Sequence, residues 1–351
     1  MYKKILLILC FSVLAFFGYL YFSSQKKGLP LLSPIWERDY TEKIATKVNT
    51  NFVLDFQKTK ELSPLAKVPR YIVYNAKTSQ VYYAKGSDQK ISPASFTKLL
   101  SAQVALDFIP ITEQITVSAE SINKVPTILV LKAGESFSVE DVLRGAIATS
   151  ANDAAQVLAD ESARFQNMSN QEFIYYMNKK ATLLGMTHSH FSNPDGLDEQ
   201  NQYSTLEDIS KVIHNVQTNY PEILKVARSD NLDIATSSAH GYYYLPNWNG
   251  LLGVYPGVNG LKIAYTEEAG YSTIVTATKE NLFLVAIVSG TGSYLERDRA
   301  AADLLDAALM YEGLRPERIT TTKLNLRYKI WGDLARKIRA ELKQIELNES
   351  I

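Results

Sequence analysis

The segment "SPASFTK", Ser92 to Lys98, sets a serine and a lysine three residues apart, just ahead of the apolar run Leu99 to Phe108. A serine hydroxyl is a weak nucleophile at neutral pH unless a base lies within hydrogen-bond reach. On a helix Ser95 and Lys98 share a face, and a helix N-terminus favours the negative charge that develops on the serine oxygen. Lysine serves as that base only when neutral, a state reached by desolvation or by a second cation nearby. Taken alone, Ser-x-x-Lys is more often a helix cap followed by a solvated lysine. Two more polar groupings bear on the choice. "SAN", Ser150 to Asn152, offers a second hydroxyl for proton relay and an amide able to orient a peptide. "GLKIAYTEEAGY", Gly260 to Tyr271, sets Lys262 at the start of a strand, where its ammonium can meet a carboxylate. By themselves these read as a helix cap and an exposed strand lysine.

Residues so far apart need elements that converge. "YIVYNAKTSQVYYAKG" from Tyr71 has two runs rich in Tyr, Val and Ile around a polar turn, which predicts a β-hairpin. Ser95 to Phe108 reads as a helix. "SVEDVLRGAIATSANDAAQVLADES" opens with Ser138 three residues before Asp141, a capping-box-like start, and breaks at "TSAND" before a second alanine-rich helix from about Asn152. "NPDG", Asn193 to Gly196, is a turn. From Gly260 three short β-rich runs are followed by a helix over about Glu296 to Met310. Hairpin, helical middle, meander and helix together predict an α+β domain whose first hairpin joins the later strands.

The whole chain sets further bounds. It has 351 residues, with 37 basic and 37 acidic side chains, so no general attraction to nucleic acid or anionic lipid is implied. Ile5 to Phe22, "ILLILCFSVLAFFGYLYF", is uncharged over 18 residues, near the ~20 that span a bilayer as a helix. No small-x-small cleavage site follows it, which favours an uncleaved anchor with residues 1–4 in the cytoplasm and the body exported. The lone cysteine, Cys10, lies inside this span and forms no intramolecular disulfide. Residues 23–68, with Pro30, Pro34 and Pro64, read as a linker with at most one short helix, and compact order is expected from near Arg70. The catalytic domain is expected over 69–310. In 311–351 "KLNLRYKIW" alternates like a strand, and Leu334, Ile338, Leu342 and Ile345 form a helical stripe.

Serine-lysine, serine-x-asparagine and strand lysine, in this order, form the motif set of penicillin-binding proteins and class A β-lactamases. The stretches "PASFTKLLSAQVAL", "ATSANDAAQVLA", "MNKKATLLGMTHSHFSNPDGLDEQNQYSTLEDI" and "GVNGLKIAYTEEAGYSTIVTA" resemble the D-alanyl-D-alanine carboxypeptidase branch, from about Arg70 to Met310. The resemblance implies a penicillin-binding α+β fold, an antiparallel sheet flanked by helices with a helical subdomain, preceded by one transmembrane helix. It implies an acyl-serine enzyme acting on the D-Ala-D-Ala end of peptidoglycan stem peptides, with β-lactams as covalent inhibitors. Ser95 would attack the penultimate carbonyl, Lys98 would take its proton, and Ser150 would relay it to the departing D-Ala. Asn152 would hold the substrate backbone, Lys262 would bind the terminal carboxylate, and the N–H groups of Ser95 and Tyr265 would form the oxyanion hole.

The third motif departs from the family's Lys-Thr-Gly, reading Lys262-Ile263-Ala264. A hydroxyl that binds the carboxylate is missing, and Ala264 adds a methyl beside the strand; Thr266, one turn of the pleat away, is the group that could supply the contact instead. A non-catalytic cell-wall-binding scaffold is therefore the rival reading. Class A β-lactamase activity is disfavoured, because no Glu-x-x-Leu-Asn stretch lies between Asn152 and Lys262. His188, His190, His214 and His240 show no zinc spacing, so neither metal nor cofactor is expected. The tyrosines of "GYYYLPNW" are expected to pack strands and loops.

Overall fold

Strand β1 (Arg70–Asn75) is buried along almost its whole length instead of on alternate residues. Such a strand lies in a sheet covered on both faces. The computed structural model describes residues 40–124 and 129–349. Short helix α1 (Thr41–Ala45) leads into β1 and β2 (Val81–Lys85), a hairpin as the sequence predicts. Then come α2 (Thr97–Phe108), β3 (Gln114–Thr116), β4 (Ser136–Ser138), α3 (Val139–Arg144), α4 (Asn152–Phe165), α5 (Asn170–Leu183), α6 (Leu206–Asn219) and α7 (Pro221–Ala227). The chain continues through β5 (Asn231–Ile234), β6 (Tyr243–Pro246), β7 (Val258–Ala264), β8 (Tyr271–Lys279), β9 (Leu282–Thr291), α8 (Tyr294–Tyr311) and α9 (Thr321–Glu349).

The main sheet has the order β2-β1-β9-β8-β7, antiparallel throughout. The early hairpin thus joins the late meander through β1 and β9, with Tyr71 opposite Val288 and Val73 opposite Ala286. On one face Tyr71, Val73, Val275, Ala286 and Val288 meet Ala301, Leu304, Leu305 and Ala308 of α8. Alanines at this contact let the helix axis approach the sheet closely. The expected fold class, α+β with an antiparallel sheet flanked by helices, is the observed one. Two small ribbons, β3–β4 and β5–β6, were not legible in the sequence.

Two expectations need correction. The linker read over 23–68 is, from Lys43 onward, part of the compact unit. Ile44, Phe52 and Leu65 are buried, and Asp55 and Lys60 pair with Gln80 and Tyr83 beside the edge strand β2. An edge strand left open is a template for unwanted pairing, so the segment covers it. "KLNLRYKIW" is not a strand but the first half of α9. Leu324, Tyr328 and Trp331 follow helical spacing and turn inward, whereas the alternation also counted Leu326 and Ile330, which are 58% and 49% exposed. The span expected over residues 5–22 lies outside the described residues. Among the described residues, no helix is long and apolar enough to cross a membrane.

Candidate active site

Ser95 sits in a 3₁₀ turn, Ala94–Phe96, that runs directly into α2. The turn is entered through Ala94 at φ +44°, a left-handed conformation costly for a residue with a Cβ. What holds it there is the NPDG turn: Gly196 lies so close that a Cβ at its position would fall on the Ala94 carbonyl. The second serine is bent in a similar way. A π-helical turn over Gly145–Thr149 ends at Ser150 with φ +66°, and α4 begins two residues later at Asn152. Left-handed backbone and π turns concentrate where side chains must be aimed at a site.

Lys98 is fully buried, on the first turn of α2. Its Nζ donates to Ser95 Oγ at 2.9 Å, to Asn152 Oδ1 at 2.7 Å and to the Asp195 carbonyl at 2.5 Å. Burial lowers its pKa to about 8, helped by the charge of Lys124 and opposed by those of Asp195 and Asp153. About a tenth of the lysine is therefore neutral at pH 7. Ser95, Lys98 and Asn152, 57 positions apart at most, form one hydrogen-bonded cluster.

Lys262 is also buried, on strand β7, which lies against the Ser95 turn. Burial presses its pKa well below the ordinary lysine range, and the charges of Lys98 and Arg297 press it further. Its Nζ donates to the Ile263 carbonyl at 3.1 Å. Ala264 is buried at the end of β7, and Tyr265 follows with half its surface exposed and its ring 4.4 Å from that of Tyr271. Thr266 does not turn toward a missing carboxylate contact: its hydroxyl donates to Asp198 at 2.8 Å.

Several participants had no signal in the sequence. Asp195 acts on Lys98 through its backbone carbonyl, while its carboxylate pairs with Lys124 at 2.8 Å. Asp153, next to Asn152, accepts backbone N–H groups from Leu129, Val130 and Leu131. Arg297, near the start of α8, is bound by Asp298 at 2.7 and 2.9 Å, and Asp298 also accepts from Tyr328 of α9 at 2.8 Å. The C-terminal helix thus braces the carboxylate that holds Arg297, whose charge acts on Lys262. The motif pattern marked only residues with side chains of its own set. His214 stacks on Phe52 and His240 on Phe137. Among the described residues no cluster of three His, Cys, Asp or Glu side chains could hold a metal ion.

An antiparallel sheet covered by helices on both faces, with a serine–lysine pair at the start of the helix beside its edge strand, is the architecture of the DD-peptidases. The chain belongs to the D-alanyl-D-alanine carboxypeptidase family, whose profile matches residues 57–293. It is 30% identical over 259 residues to D-alanyl-D-alanine carboxypeptidase DacF of Bacillus subtilis (strain 168). That match covers 72% of this chain and 64% of the relative, so the chain spans less than two thirds of it. Among solved structures it is similar to the D-alanyl-D-alanine carboxypeptidase DacD of Francisella tularensis, with TM-score 0.64 and 23% identity over 79% of this chain and 76% of that one. It also resembles penicillin-binding protein D2 of Listeria monocytogenes in its cefotaxime-bound form, with TM-score 0.60 and 25% identity over 69% of this chain and 97% of that one.

Proposed function

We propose that the protein is a serine-type D-alanyl-D-alanine carboxypeptidase that removes the terminal D-Ala from peptidoglycan stem peptides. The single observation that supports this most is the Ser95 hydroxyl 2.9 Å from a fully buried lysine whose pKa is lowered to about 8. Neutral Lys98 takes the proton as Ser95 Oγ bonds to the penultimate D-Ala carbonyl carbon. The oxyanion is met by the N–H groups of Ser95 and Tyr265. Ser150 passes the proton to the leaving amine as the peptide C–N bond breaks, releasing D-Ala. Water then adds to the acyl carbon and Ser95 Oγ leaves as the hydroxyl, restoring the enzyme. Asn152 orients the substrate backbone. Lys262, with the charge of Arg297 adding to its own, gives the terminal carboxylate a positive seat, and carboxylate binding favours the charged lysine. β-Lactams acylate the same serine.

Ile263 removes a hydroxyl partner from the carboxylate seat, and a hydrogen bond to a charged group contributes about 1.5–3 kcal/mol. Purified protein incubated with a stem pentapeptide is expected to release D-Ala. Ile263→Thr with Ala264→Gly is expected to raise kcat/KM about tenfold, equivalent to ~1.4 kcal/mol of transition-state stabilisation. No release by either form, with both folded, would leave the non-catalytic wall-binding scaffold as the better account.

Residues 5–22 suggest a single-pass anchor that holds the catalytic domain on the outer side of the cytoplasmic membrane. In fractionated cells the protein is expected with the membranes, carrying peptides from Met1 to Lys27. A soluble chain starting near Ser24 in the medium would remove the anchor.

A further inference from the structure

Asp198 lies two residues beyond Gly196, outside the motif set. Its carboxylate accepts from Ser92 Oγ at 2.6 Å and from Thr266 Oγ1 at 2.8 Å, and the Glu268 N–H approaches it at 3.5 Å. Thr266 is held in turn by the Ala269 N–H, which donates to its hydroxyl at 3.1 Å. Ser92 stands three residues ahead of Ser95, with Pro93 and the left-handed Ala94 between them. Thr266 follows Tyr265 directly. The two hydroxyls that Asp198 joins therefore sit beside the two backbone segments whose N–H groups are assigned to the oxyanion.

These segments have no covalent reason to keep a set distance. One precedes α2 and the other leaves β7, which come together only through packing. Donors to an oxyanion lose much of their value when displaced, because the stabilisation depends on placement before the charge develops. A carboxylate that bonds to both segments at once fixes their separation, and a short hydroxyl–carboxylate bond is among the stronger hydrogen bonds available.

We infer that Asp198 is a positioning residue that sets the width of the oxyanion hole by clamping Ser92 to Thr266. The inference rests on the acyl-serine reading and goes beyond it by naming what holds the two donors in register. It acts on the tetrahedral state and little on the bound ground state, which separates it from a merely structural role.

The test compares Asp198→Ala with wild type in two measurements. The first is affinity for a peptidyl boronic acid ending in boro-D-alanine, whose boron bonds to the serine oxygen and turns a hydroxyl toward the oxyanion position. The second is affinity for the stem pentapeptide in a Ser95→Ala background, where no covalent bond forms. Asp198→Ala is expected to weaken the boronate adduct by about 10- to 100-fold, below the ~10²–10³ of losing a donor outright. Pentapeptide affinity is expected to change by less than about threefold. Asp198→Asn can still accept from one hydroxyl and donate to the other, since hydroxyls play both roles, and is expected to recover most of the boronate affinity. Equal losses in both measurements, no loss in either, or an Asn variant no better than Ala would overturn the clamp. A wild type that forms no boronate adduct and releases no D-Ala overturns the acyl-serine reading itself. A wild type that does both, beside an Asp198→Ala variant that is unaffected, overturns the clamp alone.

Discussion

Incubated with benzylpenicillin, the wild-type protein is expected to gain the mass of one penicilloyl group on Ser95, and Ser95→Ala is expected to gain none. The loss is expected to be total because, among the described residues, Ser95 is the only hydroxyl bonded to the Lys98 ammonium, whose other partners are an amide oxygen and a backbone carbonyl. Lys98→Met keeps the volume but removes the base, and acylation should slow by about 10²–10⁴. The wild-type rate should also follow the charge of Lys98. Its pKa is lowered to about 8, and the neutral form is the active one, so the rate rises as pH increases. About 1% of the lysine is neutral at pH 6 and about 90% at pH 9, so the rate should climb tenfold per pH unit below 8 and level off above. Lys98→Met should lose that rise. Intact-protein mass spectrometry over a pH series reads all three, and a pH-independent wild-type rate would assign the base to another group.

Gly196→Ala is expected to cripple acylation although it adds one methyl outside the motif set. Gly196 has φ +86°, and the new Cβ would collide with the Ala94 carbonyl, a backbone atom that cannot yield without moving Ser95. The left-handed conformation alone costs of order 1 kcal/mol for alanine. Gly185 supplies the control, with φ +75° and nothing within 4 Å of its Cβ position. Gly185→Ala should lower Tm by a few degrees and leave the acylation rate within about twofold of wild type. Gly196→Ala should lower Tm further and cut acylation by at least about tenfold, since displacing the nucleophile by even ~1 Å can cost about 10²-fold. Equal acylation in the two variants would show that the Ala94–Gly196 contact does not place the serine.

Local pattern was enough for much of this protein. The β1–β2 hairpin, the helix that follows Ser95, the Ser138 cap, the break at Ser150 and the three late strands all follow from residue type and spacing. Ser138 accepts from the Asp141 N–H at 3.1 Å, as its position three residues ahead requires. Periodicity misled at "KLNLRYKIW", where an apolar residue at nearly every second position also satisfies a helical face. The choice was made by Trp331, whose ring meets Trp248 at 5.5 Å, a contact supplied by a distant loop. The segment ahead of β1 looked like a spacer because of its prolines and mixed charge, yet Ile44, Phe52 and Leu65 are buried.

At the site, the motif set named Ser95, Lys98, Ser150, Asn152 and Lys262 from their own side chains. Their electrical state and aim came from folding. Lys98 and Lys262 are ordinary lysines in the chain, and their lowered pKa values arise from burial and from charges on other segments: Lys124 beside the first, Lys98 and Arg297 beside the second. The Asp195 carbonyl, the Gly196 contact and the Asp198 bonds are backbone positions or links across tens of residues, for which spacing carries no mark. Residue identity determines which groups can react, because chemistry resides in the side chain. Proximity and desolvation determine which of them do, because both depend on segments that meet only when the sheet closes against its helices.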